Sequence, residues 1–178
     1  MGIVKQLPAG KKPYSQPRPI DKDDNLAAFD CGRPPLNDFL KQQALKNEGK
    51  ASRTYVVTAQ SGEDAGKVVA YYTLAGGAIT HENAPGWAKR NMPDPLPTLV
   101  LGRLAVAINH QGKRIGEHLL REAMQRSLEV ATQIGVRVLI VHAIDDEAVS
   151  FYVPFGFRRF PADSRTLFLA METIAKSL

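Results

Sequence analysis

Cysteine is nearly absent from this 178-residue chain: Cys31 stands alone, so no intrachain disulfide and no cysteine-based metal framework is expected. In the simplest case Cys31 is a small packed residue. No segment approaches the roughly 20 consecutive apolar residues that a membrane span requires. The N-terminal MGIVKQLPAGKKPYSQPRP lacks the apolar core of a secretory signal. A cytoplasmic protein without membrane contact is the expectation. Two common phosphate signatures are also missing. No GKS or GKT follows a glycine-rich run, so a loop that places a hydroxyl on magnesium is unsupported, and GxGxxG is absent, which argues against a dinucleotide-binding Rossmann site. Acidic residues are missing from the first twenty positions, which hold four Lys or Arg.

What is present describes one ordinary globular domain, with 44% apolar and 23% charged residues. The formal charge is +5 and the isoelectric point about 9.4, a balance that favours polyanionic partners such as nucleic acid. Residues 1–20 carry four prolines and two glycines without periodicity and read as an extended arm ahead of a domain over 21–178. In LNDFLKQQALKNEG, Leu36, Phe39, Leu40 and Leu45 fall near helical spacing, which gives a helix with a cationic outer face. RTYVVTA and KVVAYYTLAG, parted by SGEDAG, predict an antiparallel hairpin. A proline-rich loop is expected over 80–97, with the chain's one Trp. LVLGRLAVAI then reads as a buried strand, Ile115 to Leu128 as an amphipathic helix, VRVLIVHA as a second buried strand, and Asp145 as the cap of a short helix stopped by Gly156. FRRF and TLFLAM finish as two strands. The alternation implies an α/β or α+β fold, a sheet with helices packed on it.

The stretch QGKRIGEHLL joins the first buried strand to the amphipathic helix. A strand that enters a glycine-containing turn and then a helix aims free backbone N–H groups at one point, where the helix dipole adds positive potential. Phosphate is the expected guest. Gly112 and Gly116 would let the backbone approach it closely, and Gln111, Lys113, Arg114 and Ile115 complete the loop. Equally open is a junction in which the glycines serve geometry and the cations are only solvated.

The succession LGRLAV, QGKRIG, amphipathic helix, VRVLIVHA and AVSFYVPFGF resembles the acetyl-CoA-binding half of the GNAT acetyltransferase superfamily. Upstream, FDCGRPPLNDFL, RTYVVTA, VVAYYTLAGG and RNMPDPLP resemble the GNAT toxins of bacterial toxin-antitoxin pairs, which acetylate aminoacyl-tRNA. The resemblance implies a mixed, mostly antiparallel sheet flanked by helices. It also implies acetyl-CoA as cosubstrate, with no metal. The main chain of Leu104, Ala105 and Val106 would pair with the pantetheine arm, and the pyrophosphate would lie over Gly112 to Gly116. Arg114 departs from the family pattern, which has glycine there, and Ala107 stands where these toxins often have an acid. Tyr152 matches the tyrosine placed near the sulfur as general acid, while Lys41, Lys46, Lys89 and Arg90 match cationic RNA-contacting positions. The resemblance further implies a small antitoxin with a ribbon-helix-helix DNA-binding part, through which alone operator DNA would be met, and it leaves a homodimer open.

Amide formation from a thioester needs a neutral amine, donors for the developing oxyanion and a proton for the departing thiolate. A backbone N–H near Leu104 could polarise the carbonyl. Tyr152 can donate without being charged, although its spacing with Phe151 and Phe155 equally suits a packed helix face. No strong base stands out, for His142 lies in an apolar run and reads as a satisfied core histidine. An α-amine, with a pKa near 8, needs less help to lose its proton than a lysine near 10.4, so an α-amino substrate is favoured. Three functions remain open on sequence: acetylation of charged tRNA, acetylation of a small amine or protein N-terminus, and noncatalytic nucleic-acid binding.

Overall fold

Apolar alternation and apolar helical stripes set the architecture of this chain. In a computed structural model, residues 12–160 and 165–178 are described, so the first eleven residues of the expected arm lie outside the described residues. Strand β1 (Arg18–Pro19) is followed by a helical segment. This is α1 (Pro34–Asp38), a π-helical turn (Phe39–Gln43) and α2 (Ala44–Asn47). The hairpin β2 (Arg53–Thr58) and β3 (Val68–Ile79) comes next, then α3 (Gly86–Lys89), β4 (Leu96–Val106), α4 (Ile115–Ala131) and β5 (Val138–His142). The chain ends with α5 (Asp146–Tyr152), β6 (Arg158–Arg159), β7 (Thr166–Ala170) and α6 (Met171–Ser177).

The strands form one sheet in the order β1-β2-β3-β4-β5-β7-β6. Every neighbouring pair is antiparallel except β4 and β5. Twofold alternation divides the core between the faces. Val57, Tyr72, Leu101, Leu139 and Val141 meet Ile115, Leu119, Leu120, Ala123 and Met124 of α4, with Met171 and Ile174 of α6. Their neighbours Val56, Tyr71 and Ala105 turn to the opposite face, against Phe29, Phe39, Leu40 and Ala44. A polar group fastens α4 to the sheet: the Tyr72 hydroxyl donates to the Glu122 carboxylate, and Arg126 Nε donates to the Tyr72 oxygen at 3.0 Å while its guanidinium lies 4.1 Å above the Tyr55 ring.

Two irregularities shape the centre. The β3–β4 register slips so that Thr73 faces Arg103 while Leu74 faces Leu101, leaving Gly102 as an extra residue, a β-bulge. A Cβ on Gly102 would stand 3.0 Å from Thr73 Oγ1, which accounts for glycine there. β5 pairs with β4 over Leu99, Val100 and Leu101, up to that bulge. Beyond it the strands part, and α4 begins at the open end.

Several expectations change. The loop expected over 80–97 holds the helical turn α3, and β4 starts at Leu96 rather than Leu99. TLFLAM is not all strand, because Met171 opens α6. Leu45 is 42% exposed; the apolar stripe runs Phe39, Leu40 and Ala44 instead, since Ala44 is the residue one helical step beyond Leu40. At the N-terminal side, Arg18 and Pro19 pair with Val56 and Tyr55, and Tyr14 bridges to Ala59. The Tyr14 hydroxyl also meets His110 Nδ1 at 2.9 Å, and His110 Nε2 meets Asp64 Oδ2 at 2.8 Å.

Candidate active site

The main chain of the second half of β4 has free capacity on one side. Ala107 N–H donates to Val69 O at 2.8 Å, so strand alternation directs the N–H and C=O of Leu104 and Val106 away from β3, toward the side where β5 has parted. There a cleft of about 540 Å³ opens, walled by Leu104, Ala105, Val106, Gly116, Ala148, Phe151, Tyr152 and the loop Cys31–Gly32–Arg33. A second groove of about 390 Å³, over His110, Gln111, Gly112, Arg114, Ile115 and Glu117, shares Val106, Gln111, Gly116 and Phe151 with it.

That second groove is the loop before α4. Arg114 takes the position ahead of the helix at φ 63° and ψ 16°, left-handed backbone that glycine adopts freely and an L side chain does not. Gly112 is also left-handed, at φ 74°. No side chain caps α4, and the first intrahelical-type bond shown runs from His118 N–H to Arg114 O, so the N–H groups of Ile115, Gly116 and Glu117 face outward as helix-end donors. The Arg114 side chain is 84% exposed, with Nε 3.7 Å from Glu117 Oε2, and it leans into solvent at the edge of the groove it helps to line. At Gly116 a Cβ would meet Phe151 at 3.6 Å, ordinary contact. The Gln111 amide is spent within the protein: Nε2 donates to Val106 O at 2.9 Å and to Cys31 O at 3.2 Å.

Tyr152 lines the same cleft. Its ring packs edge-on against Phe151 and Phe157, with centroids 5.1 and 5.5 Å away, and it is 5% exposed. Among the described residues its hydroxyl makes no hydrogen bond. Burial pushes the phenol well above its ordinary value, so it stays protonated and able to donate. The sequence left packing and proton donation as alternatives for Tyr152; the ring is packed, and it also lines the cleft. Cys31 is buried, and its thiol is pushed up chiefly by that burial.

His142 is not a core histidine. As the last residue of β5 it alternates out to solvent, where Nδ1 meets Thr166 Oγ1 at 3.0 Å. Asp145 does cap α5, accepting from Ala148 N–H at 2.8 Å. It also receives Arg33, whose other nitrogen donates to Glu147 at 2.9 Å. Arg33 thus fastens the Cys31–Arg33 loop to α5 across the mouth of the cleft. Nothing local in the sequence marks it, because its partners stand 112 and 114 positions away. Lys41 and Lys46 lie exposed on the helical segment over Tyr71, whereas Lys89 and Arg90 end α3 near Phe168. The structure therefore places these cations in two groups. Lys89 is half-buried, with Nζ on His81 O at 3.2 Å. Among the described residues no cluster of three or more His, Cys, Asp or Glu is arranged to hold a metal ion, and no helix is long and apolar enough to cross a membrane.

A parted β4–β5 pair, outward main-chain donors on β4 and an uncapped helix start behind a left-handed turn define a GNAT acetyltransferase. The Acetyltransferase (GNAT) domain matches residues 50–159, and the chain belongs to that family of acyl-transferring enzymes. It is 43% identical over 159 residues to the tRNA-acetylating toxin of Mycobacterium tuberculosis (strain ATCC 25618 / H37Rv), covering 89% of this chain and 93% of that protein. Among solved structures, AtaT complexed with acetyl-methionyl-tRNAfMet superposes with a TM-score of 0.80 at 28% identity, over 91% of this chain and 98% of AtaT. AtaTR bound with acetyl-CoA gives 0.78 at 28% identity, over 91% and 96%.

Proposed function

We propose that this enzyme transfers the acetyl group of acetyl-CoA to the α-amine of aminoacyl-tRNA, leaving an N-blocked aminoacyl end that cannot accept a growing peptide. The observation that carries the acyl-transfer chemistry is the continuity of the two grooves. A helix-end donor set at Gly112–Gly116 suits a pyrophosphate, and the outward Val106 N–H and Leu104 C=O suit an extended amide-bearing arm. An arm laid along β4 ends beside Leu104 and Tyr152. The amine attacks the thioester carbonyl there, and the Leu104 N–H steadies the oxyanion. As the C–S bond breaks, the Tyr152 hydroxyl supplies the proton to sulfur, and the amine's proton leaves through water.

The choice of aminoacyl-tRNA rests on the 43% identical tRNA-acetylating toxin and on the basic charge of +5. Lys41, Lys46, Lys89 and Arg90 contact tRNA phosphates in this reading. Arrest of translation then requires a cognate antitoxin, a small protein with a ribbon-helix-helix part that holds operator DNA in the joint complex. The enzyme works in the cytoplasm. The test is incubation with total aminoacyl-tRNA and labelled acetyl-CoA, followed by nuclease digestion and identification of the labelled product. Label on the α-amine of an aminoacyl-adenosine is expected. Label on free amines or protein N-termini, with none on tRNA, would reject the substrate.

A further inference from the structure

Arg103 follows the bulge at Gly102 and turns its side chain to the face of the sheet that carries α1. Its guanidinium carbon sits 3.7 Å above the centroid of Phe39. Phe39 is buried and stacks on Tyr71, whose hydroxyl donates to Leu36 O at 2.7 Å, and Leu36 lines the catalytic cleft. The guanidinium is therefore held against a ring that is itself backed by two further packed groups. Among the described residues it makes no hydrogen bond and no ion pair, so its edge donors are committed to nothing within the fold. A surface arginine without a partner ordinarily samples many rotamers. This one has its face held and its fork free, an arrangement suited to bidentate recognition of an oxyanion.

The position gives the fork a meaning. With the pyrophosphate end at Gly112–Gly116, an extended arm on β4 brings its thioester to Leu104, the neighbour of Arg103. The amine must reach that point past the Leu36 wall of the cleft, and Arg103, just outside that lining, packs on Phe39 of the same helical segment. When the amine belongs to an aminoacyl ester, the first anion met along its carrier is the phosphate that joins the terminal nucleoside to the rest of the strand. We propose that Arg103 holds this phosphate and so sets the aminoacyl end over the thioester; the proposal rests on aminoacyl-tRNA being the acceptor. Lys41, exposed two residues beyond Phe39, adds positive potential on the same side.

The competing role is packing, in which the stem of Arg103 covers Phe39 and its charge is incidental. Arg103→Met keeps most of that stem. The experiment compares native aminoacyl-tRNA with aminoacyl-tRNA whose last internucleotide phosphate is a neutral methylphosphonate, on wild type, Arg103→Met and Arg103→Lys, reading kcat/KM. For wild type, the neutral linkage should lower kcat/KM roughly tenfold or more, the scale of a charged hydrogen-bonded contact. Arg103→Met should barely distinguish the two substrates, and Arg103→Lys should recover part of the difference. Equal use of both substrates by wild type overturns the assignment without reference to any variant. An equal drop in wild type and Arg103→Met overturns it too. If wild type leaves native aminoacyl-tRNA unlabelled, the substrate reading itself has failed, an outcome separate from these.

Discussion

Changing Tyr152 to Phe removes one oxygen from a ring whose position is set by Phe151 and Phe157. The packing survives, so acetyl-CoA affinity should be nearly unchanged while turnover falls roughly 10²-fold, the usual scale for losing a positioned acid. Single-turnover rates under saturating acetyl-CoA check this; equal rates would leave the ring as packing alone. Arg114 presents the opposite case, a residue whose backbone rather than side chain bears the cost. Left-handed geometry costs an L residue about 1–2 kcal/mol, partly offset in Arg114→Gly by the greater freedom of glycine in the unfolded chain. That variant should gain about 0.5–1 kcal/mol, read as a rise of a few degrees in thermal midpoint. Acetyl-CoA affinity, measured by calorimetry, should change less than about tenfold, because the helix-end donors remain. The departure from glycine was visible in the sequence. Its conformation was not, since only the structure gives the left-handed backbone and the solvent-directed side chain.

Among the elements, α4 and β5 were legible because each carries a long uniform pattern, one helical stripe and one buried run. β1, α3 and α6 were not. A two-residue strand and a four-residue helix have no period to detect, and α6 follows β7 without glycine or proline, so Met171 continues the apolar run of TLFLA. The site was legible in the same uneven way. Its wall of β4 and α4 lies within one contiguous stretch, whereas its far wall depends on Arg33 meeting α5 across more than a hundred residues. That clasp has a predictable pH response. The Ala148 N–H first, and Arg33 after it, hold the Asp145 carboxyl below its ordinary range. A depressed carboxylate stabilises the fold fully above its unfolded pKa of about 3.9 and loses that effect as pH falls through its lower folded value. Asp145→Ala should lower the thermal midpoint at pH 7, and the gap to wild type should narrow as pH falls below about 4. A gap that stays constant over that range would show that the charge of Asp145 is irrelevant to the cap.

For the molecule as a whole, the charge of +5 acquires significance through its distribution. Lys41 and Lys46 stand on one helical segment, and Lys89 and Arg90 stand at the end of α3, so a long polyanion could be held at two places while a small amine could be held at neither. If all four neutralise phosphates, counterion release gives a slope of about −3 for log kcat/KM against log salt, roughly a fiftyfold loss between 50 and 200 mM. Steady-state kinetics on aminoacyl-tRNA at several salt concentrations measure the slope. A response no steeper than that of a small amine acceptor would remove these cations from the interface.

The two hydrogens of one amide also have a kinetic consequence. Gln111 Nε2 donates to both Cys31 O and Val106 O, so one amide bridges the Cys31 loop and the end of β4, and drawing these two walls apart would break at least one of the bonds. That bridge resists a change in the spacing of these two walls. It therefore favours selection of substrates by the width and charge of the aperture as they enter, over selection by a closing motion after capture.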